Sequence, residues 1–141
     1  MVHLKRFDMF VFKHMKRVCT FIVLLCVSSV ASASTLLVMG DSLSAAYNLR
    51  QQDGWVSLLK TELSYSHPEI DVINASVSGE TTQGGLSRFA ALLTAHNPSW
   101  IILELGANDA LRGYPLNQTT LNLEKMVEQA QKAGAAVLLV G

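Results

Sequence analysis

Beyond residue 33 this 141-residue chain contains no cysteine, because both of its cysteines, Cys19 and Cys26, lie ahead of that point. The rest of the chain therefore has no disulfide framework, no thiolate metal site and no cysteine nucleophile. Positive charge is also scarce there. Residues 34–141 hold six basic and ten acidic side chains, a net charge of about −4. Phosphate binding needs a basic patch, so nucleic acid is excluded as the expected partner. No His/Asp/Glu cluster has metal-ligand spacing, and no metal is expected. Gly84-Gly85 lacks the Lys-Ser/Thr that follows a phosphate loop. Internal repeats, low-complexity tracts and linker-like stretches are missing too. With half of its residues apolar, the chain suits one compact domain with a sizeable core.

The first 33 residues read as an export signal. Lys5, Arg6, Lys13, Lys16 and Arg17 form a positive leader, Val18 to Val27 is mostly apolar, and Ala31-Ser32-Ala33 supplies a small-residue cleavage pattern. Cleavage after Ala33 would leave Ser34 at the new N-terminus, and a periplasmic or secreted location follows. An uncleaved anchor is the alternative. Thr20, Ser28, Ser29 and Ser32 interrupt the apolar run, which falls short of the roughly 20 apolar residues of a spanning helix. A lipid anchor on Cys26 would need a small residue before it, and Leu25 stands there. No stable membrane anchor is expected once the signal is removed.

From Ser34 onward, short aliphatic runs alternate with helix-length stretches. Thr35 to Met39 reads as a buried strand closed by Gly40. Trp55, Leu58, Leu59 and Leu63 recur at helical spacing until His67-Pro68. Ile70 to Asn74 is a second strand. Leu86, Phe89, Ala90 and Leu93 form another stripe at i, i+3, i+4, i+7, ending before Asn97-Pro98. Trp100 to Leu105 reads as a strand buried on both faces, as in a parallel sheet, and a loop with Gly113 and Pro115 follows it. Leu123, Met126, Val127 and Ala130 mark a third helix, Gly134 suits its C-terminal cap, and Ala135 to Val140 is a fourth strand. Trp55, Phe89 and Trp100 lie on apolar stripes and are expected in the core. The order implies an α/β domain with a parallel sheet and right-handed crossovers. A sheet that stops on a strand leaves an edge and a face uncovered. The expectation is thus an incomplete α/β domain over residues 34–141 that lacks its C-terminal portion.

In open α/β sheets ligands sit beyond the carboxyl ends of the strands. The segments there are Gly40-Asp41-Ser42-Leu43-Ser44, Asn74-Ala75-Ser76-Val77-Ser78-Gly79-Glu80 and Gly106-Ala107-Asn108-Asp109. On these residues the chain resembles the SGNH (GDSL) hydrolase family. Ser42 falls in the first block, Gly79 in the second, and Asn108 in the third. The wording at 74–81 and 105–113 is similar to its periplasmic thioesterase, lysophospholipase and arylesterase branch.

That resemblance implies a three-layer α/β/α flavodoxin-like fold and hydrolysis of acyl esters and thioesters through an acyl-Ser42 intermediate, without a cofactor. It makes Ser42 the nucleophile, with Gly79 and Asn108 as oxyanion-hole donors beside the Ser42 backbone N–H. Such donors must be aimed in advance at the charge that develops. The partner expected is a small-molecule acyl ester or thioester. The family's base is a His three residues after an Asp. No D-x-x-H occurs in the 141 residues, so the catalytic Asp and His are absent from this chain. His67 and His96 precede strands, away from the crevice, and read as solvated or capping residues. Bland readings stand beside each role: Ser42 as a turn residue capping a following helix, Gly79 as a positive-φ hinge, and Asn108 and Asp109 as stabilisers of their own turn. Asp41 and Glu104 read as structural. A carbohydrate O-acetylesterase and an inactive acyl-binding fragment are the alternative functions.

Overall fold

A computed structural model describes residues 34–140. The expected leader and its cleavage point after Ala33 lie outside the described residues. The elements in order are β1 (Ser34–Gly40), a 3-10 turn (Gln51–Asp53), α1 (Trp55–Ser66), β2 (Ile70–Asn74), α2 (Thr82–His96), β3 (Trp100–Glu104), α3 (Ala107–Leu111), α4 (Leu116–Lys132) and β4 (Ala136–Val140). The four strands and three long helices fall where the apolar runs and stripes place them. The loop expected after β3 contains a short helix, α3, which one turn of sequence offers too few positions to reveal as periodicity.

Helix ends follow local chemistry. The Thr81 hydroxyl accepts from the Gly84 N–H at 3.2 Å and caps the start of α2. Asn97 ends that helix in the left-handed region, at φ 41°, and Pro98 follows. Pro115 precedes α4, and Gly134, at φ 85°, turns the chain out of α4 into β4.

All strand pairs are parallel, in the order β2-β1-β3-β4. Strand β1 is central, with Val38 opposite Asn74 on one side and Ile102 on the other. Successive side chains of a strand point to opposite faces, and two apolar clusters result. Leu37 and Met39 of β1 join Ile101 and Leu103 of β3, Phe89 of α2, and Met126 and Ala130 of α4. Val38 joins Val56 of α1 and Val72 of β2, with Leu36, Trp55, Leu63, Ile70 and Ile102 around them. Helix α1 therefore covers one face of the sheet, and α2 and α4 the other. This is the three-layer α/β/α arrangement of flavodoxin-like order.

Three side chains expected on apolar faces are exposed. Leu58 is 58% accessible, since α1 turns Trp55, Val56, Leu59 and Leu63 inward instead. Ala90 faces solvent while Gly85, Phe89 and Leu92 of α2 turn toward the sheet. Trp100 is 41% accessible, because β3 starts with it at the amino edge, where the helices give incomplete cover. Phe89 does lie in the core, fully buried. Strand β4 forms the sheet edge, and Leu138, Leu139 and Val140 are all exposed.

These placements separate two substitutions that the stripes alone would treat alike. Phe89→Ala is expected to lower unfolding free energy by about 3–5 kcal/mol. Leu58→Ala should change it by no more than about 0.5 kcal/mol. Urea denaturation of both variants is the check, and equal losses would contradict the assignment of α1's inner face.

Candidate active site

The connection from β1 to β2 runs over one face and that from β2 to β3 over the other, so a crevice opens between the carboxyl ends of β1 and β3. Three polar loops meet around it.

The first carries Ser42. The Asp41 side chain, 2% accessible, accepts the Leu43 N–H through Oδ1 at 3.1 Å, an Asx turn that bends the chain around Ser42. Two backbone bonds close the same bend, from Ala45 N–H to the Asp41 carbonyl at 2.9 Å and from Tyr47 N–H to the Ser42 carbonyl at 3.0 Å. The segment then passes through positive φ at Ala46 (56°) and Asn48 (60°), and no α-helix begins between Ser42 and Trp55. Ser42 thus lies in a turn with no helix directly after it to cap.

The second loop continues the parallel pairing past the strand end. Ala75 N–H donates to the Val38 carbonyl at 2.8 Å and Val77 N–H to the Gly40 carbonyl at 3.0 Å. The Ser76 hydroxyl also accepts from Gly40 N–H at 3.0 Å. A turn from Val77 to Glu80, closed at 3.0 Å, puts Gly79 at its third position with φ 78°. That position favours glycine. A Cβ there would meet only Arg112 Nη2, at 3.7 Å, so backbone conformation rather than crowding sets the requirement.

The third loop turns at Gly106 (φ 125°) into α3. Asn108 Nδ2 donates to Asp41 Oδ2 at 2.8 Å, across 67 positions of sequence. This bond joins the first and third loops directly beside Ser42. The Asn108 side chain thus makes a contact between loops rather than one within its own turn, the bland alternative for it. Asp109 likewise does more than tighten a turn. It is 2% accessible, and it accepts the Thr82 N–H at 2.8 Å, the Thr82 hydroxyl at 2.5 Å and the Thr119 hydroxyl at 3.4 Å. Asn122 Nδ2 completes the cluster with a bond to the Thr82 hydroxyl at 3.1 Å. A carboxylate at the first turn of α2 also suits the helix dipole.

Ser42, Gly79 and Asn108 are thus carried by three loops that are hydrogen-bonded to one another. The histidines stay apart: His67 follows α1, with Nδ1 3.3 Å from Glu69 Oε1, and His96 ends α2, both at the amino edge. Among the described residues no group of three or more His, Cys, Asp or Glu side chains could hold a metal ion. Sequence reading missed the Asp41–Asn108 and Asp109–Thr82 links. Its one available signal was the presence of two acids at the ends of apolar strands, where burial obliges each to find donors.

Residues 38–141 match the model of the GDSL-like lipase/acylhydrolase family. Esterase TesA of Pseudomonas aeruginosa is 46% identical over 123 residues, which cover 87% of this chain and 60% of that protein. Thioesterase 1/protease 1/lysophospholipase L1 of Escherichia coli strain K12 is 43% identical over 110 residues, 78% of this chain and 51% of that protein. A crystal structure of TesA superposes with a TM-score of 0.75 at 47% identity, over 77% of this chain and 60% of that one. The chain spans between half and two thirds of the length of these relatives.

The Asp109 cluster makes a prediction about stability alone. Asp109→Ala leaves the buried Thr82 N–H and hydroxyl without their acceptor, at about 1–3 kcal/mol for each unsatisfied group. A loss of that order, or its sum, is expected in thermal or urea unfolding. A neutral result would show that the cluster does not hold α2 to the third loop.

Proposed function

This chain belongs to the GDSL-like lipase/acylhydrolase family, and from that membership we propose that the complete gene product is a serine-dependent hydrolase of carboxylic esters and thioesters. Ser42 is its nucleophile and forms an acyl-Ser42 intermediate. Names of the relatives, esterase TesA and thioesterase 1/lysophospholipase L1, support acyl esters, lysophospholipids and acyl thioesters as the substrate class. No cofactor enters the reaction.

The observation that carries this reading is the Asn108–Asp41 bond. An oxyanion donor is useful only if it is oriented before the charge appears. A side-chain amide has two N–H groups. One of those of Asn108 is held by Asp41, which fixes the amide plane one residue from Ser42 and leaves the second N–H for the oxyanion. The backbone N–H groups of Ser42 and Gly79 supply the other donors. Gly79's positive φ aims its peptide in a direction that L side chains rarely allow.

A hydroxyl attacks only when a base takes its proton. The family pattern assigns that task to a His three residues after an Asp, and residues 1–141 contain no such pair. The stretch that bears Ser42, Gly79 and Asn108 therefore supplies the nucleophile and oxyanion donors of the reaction but not its acid-base pair. Export, with cleavage after Ala33, is proposed on the basic leader and the Ala-x-Ala pattern, and it places the enzyme in the periplasm or outside the cell. Among the described residues no helix is long and apolar enough to cross a membrane.

The complete gene product should hydrolyse p-nitrophenyl esters and acyl thioesters, with Ser42→Ala reducing turnover to background. Asn108→Ala should lower kcat by about 100- to 1,000-fold with a small change in KM. Residues 34–141 alone should show no turnover. Undiminished activity in Ser42→Ala, or Ser42-dependent turnover by residues 34–141, would overturn the assignment.

A further inference from the structure

A second polar chain lies beside the nucleophile loop, and nothing in the chemistry above uses it. Ser44, 1% accessible, donates its hydroxyl proton to Glu104 Oε2 at 2.8 Å. The Trp55 Nε1–H lies 3.2 Å from the same hydroxyl oxygen. An indole N–H only donates, an ionised carboxylate only accepts, and a hydroxyl has one proton. The direction is therefore fixed: Trp55 donates to Ser44, and Ser44 to Glu104. At its other end Ser44 is held as well, since Asn74 Nδ2 donates to its carbonyl at 2.7 Å.

Resting on the proposed role of Ser42, we propose that Glu104 is a positioning residue, which through the Ser44 hydroxyl sets the place of the loop that carries Ser42. Three observations support it. Glu104 ends β3 opposite Gly40 of β1, so the sheet register itself delivers the carboxylate to this loop. Gly40 leaves room for the contact. A Cβ at Gly40 would come within 2.6 Å of both Glu104 Oε2 and the Ser44 hydroxyl, so a side chain there would part the pair. The chain of donors also gathers the ends of β2 and β3 and the first residue of α1 onto Ser44, two positions from Ser42. A bond to an ionised acceptor is roughly twice as strong as a neutral one, which suits a contact that must hold a turn in place.

The test uses the complete gene product, with ¹⁵N-labelled tryptophan to observe the Trp55 indole N–H and Trp55→Phe to assign it by loss of the signal. Glu104→Ala and Ser44→Ala should move that resonance upfield and speed its exchange with solvent. Glu104→Ala should lower kcat about 10- to 100-fold, as a small misplacement of reacting groups does, with KM and the pH profile unchanged. Glu104→Gln keeps an acceptor oxygen and should recover both the resonance and most of kcat. An indole signal unmoved in both alanine variants would overturn the proposal. So would a Glu104→Gln variant as impaired as Glu104→Ala, or a shifted pH profile, since either makes the carboxylate a proton carrier. If Glu104→Ala fails to fold, Trp55→Phe carries the test, with a smaller loss of kcat expected and no loss overturning it. Failure of the Ser42 assignment would appear as full activity in Ser42→Ala, without any effect on the indole signal, so the two ideas fail separately.

Discussion

Burial of β1 on both faces and along both edges is the constraint on which the rest of this structure depends. A strand with Leu37, Val38 and Met39 all inaccessible requires helices on both sides and strands on both edges. With parallel pairing, the chain satisfies that need by running α1 over one face toward β2, then returning over the other face to β3. That reversal is what opens a crevice at the end of β1. The position of Ser42 is thus a consequence of where the apolar residues of β1 must go.

Parallel register extends the effect from backbone to side chains. Gly40 pairs with Glu104, and Val38 with Asn74, and the second loop stays bonded to β1 as far as the Gly40 carbonyl, so the three loops meet at the end of β1. Each strand end then brings a polar group within reach of its neighbours: Asp41 beyond β1, Asn74 at the end of β2, Glu104 at the end of β3. Asp41 is buried and Glu104 half-buried, where a polar group is costly unless it is hydrogen-bonded, and their partners, like those of the exposed Asn74, come from the adjoining loops. Satisfying the polar groups and fastening the loops together are the same event.

How much of this was legible in the sequence follows from the range of each signal. Strands β1 to β4 and the three long helices announce themselves through local apolar patterns and through Gly, Pro and Asn stops, all within a window of about 15 residues. Leu58, Ala90 and Trp100 were misplaced because a stripe shows that a helix or strand has an apolar side, while the neighbouring layer decides how far that side extends. Helix α3 is shorter than any window that resolves periodicity. The positions of Ser42, Gly79 and Asn108 at strand ends could be read, since that depends only on element order. The bonds that orient them could not. Asp41 to Asn108, Glu104 to Ser44 and Asp109 to Thr82 span 67, 60 and 27 positions, and no local pattern encodes a pairing that exists only after the sheet has formed.

On the proposed reading, the same three carboxylates explain why this part of the molecule orients acyl transfer without providing its proton chemistry. Asp41 is the acid nearest to Ser42 in sequence, but its two oxygens hold the Leu43 N–H and the Asn108 amide. Turning it toward the Ser42 hydroxyl would release both the turn around Ser42 and the Asn108 amide. Glu104 is bound to Ser44, and Asp109 to Thr82 on the far side of the third loop. Each acid is therefore an acceptor that fixes geometry, and each would have to abandon a loop in order to act as a base. A negative charge beside a developing oxyanion is unfavourable by itself. Here Asp41 is met by two donors already in place, so in the proposed reaction its net effect is to orient Asn108 in advance, where the gain from a preorganised donor is greatest. Orientation and proton transfer are thus separate demands of the proposed reaction, and an imidazole, which can act as donor or acceptor, meets the second demand in a way that none of these anchored carboxylates does.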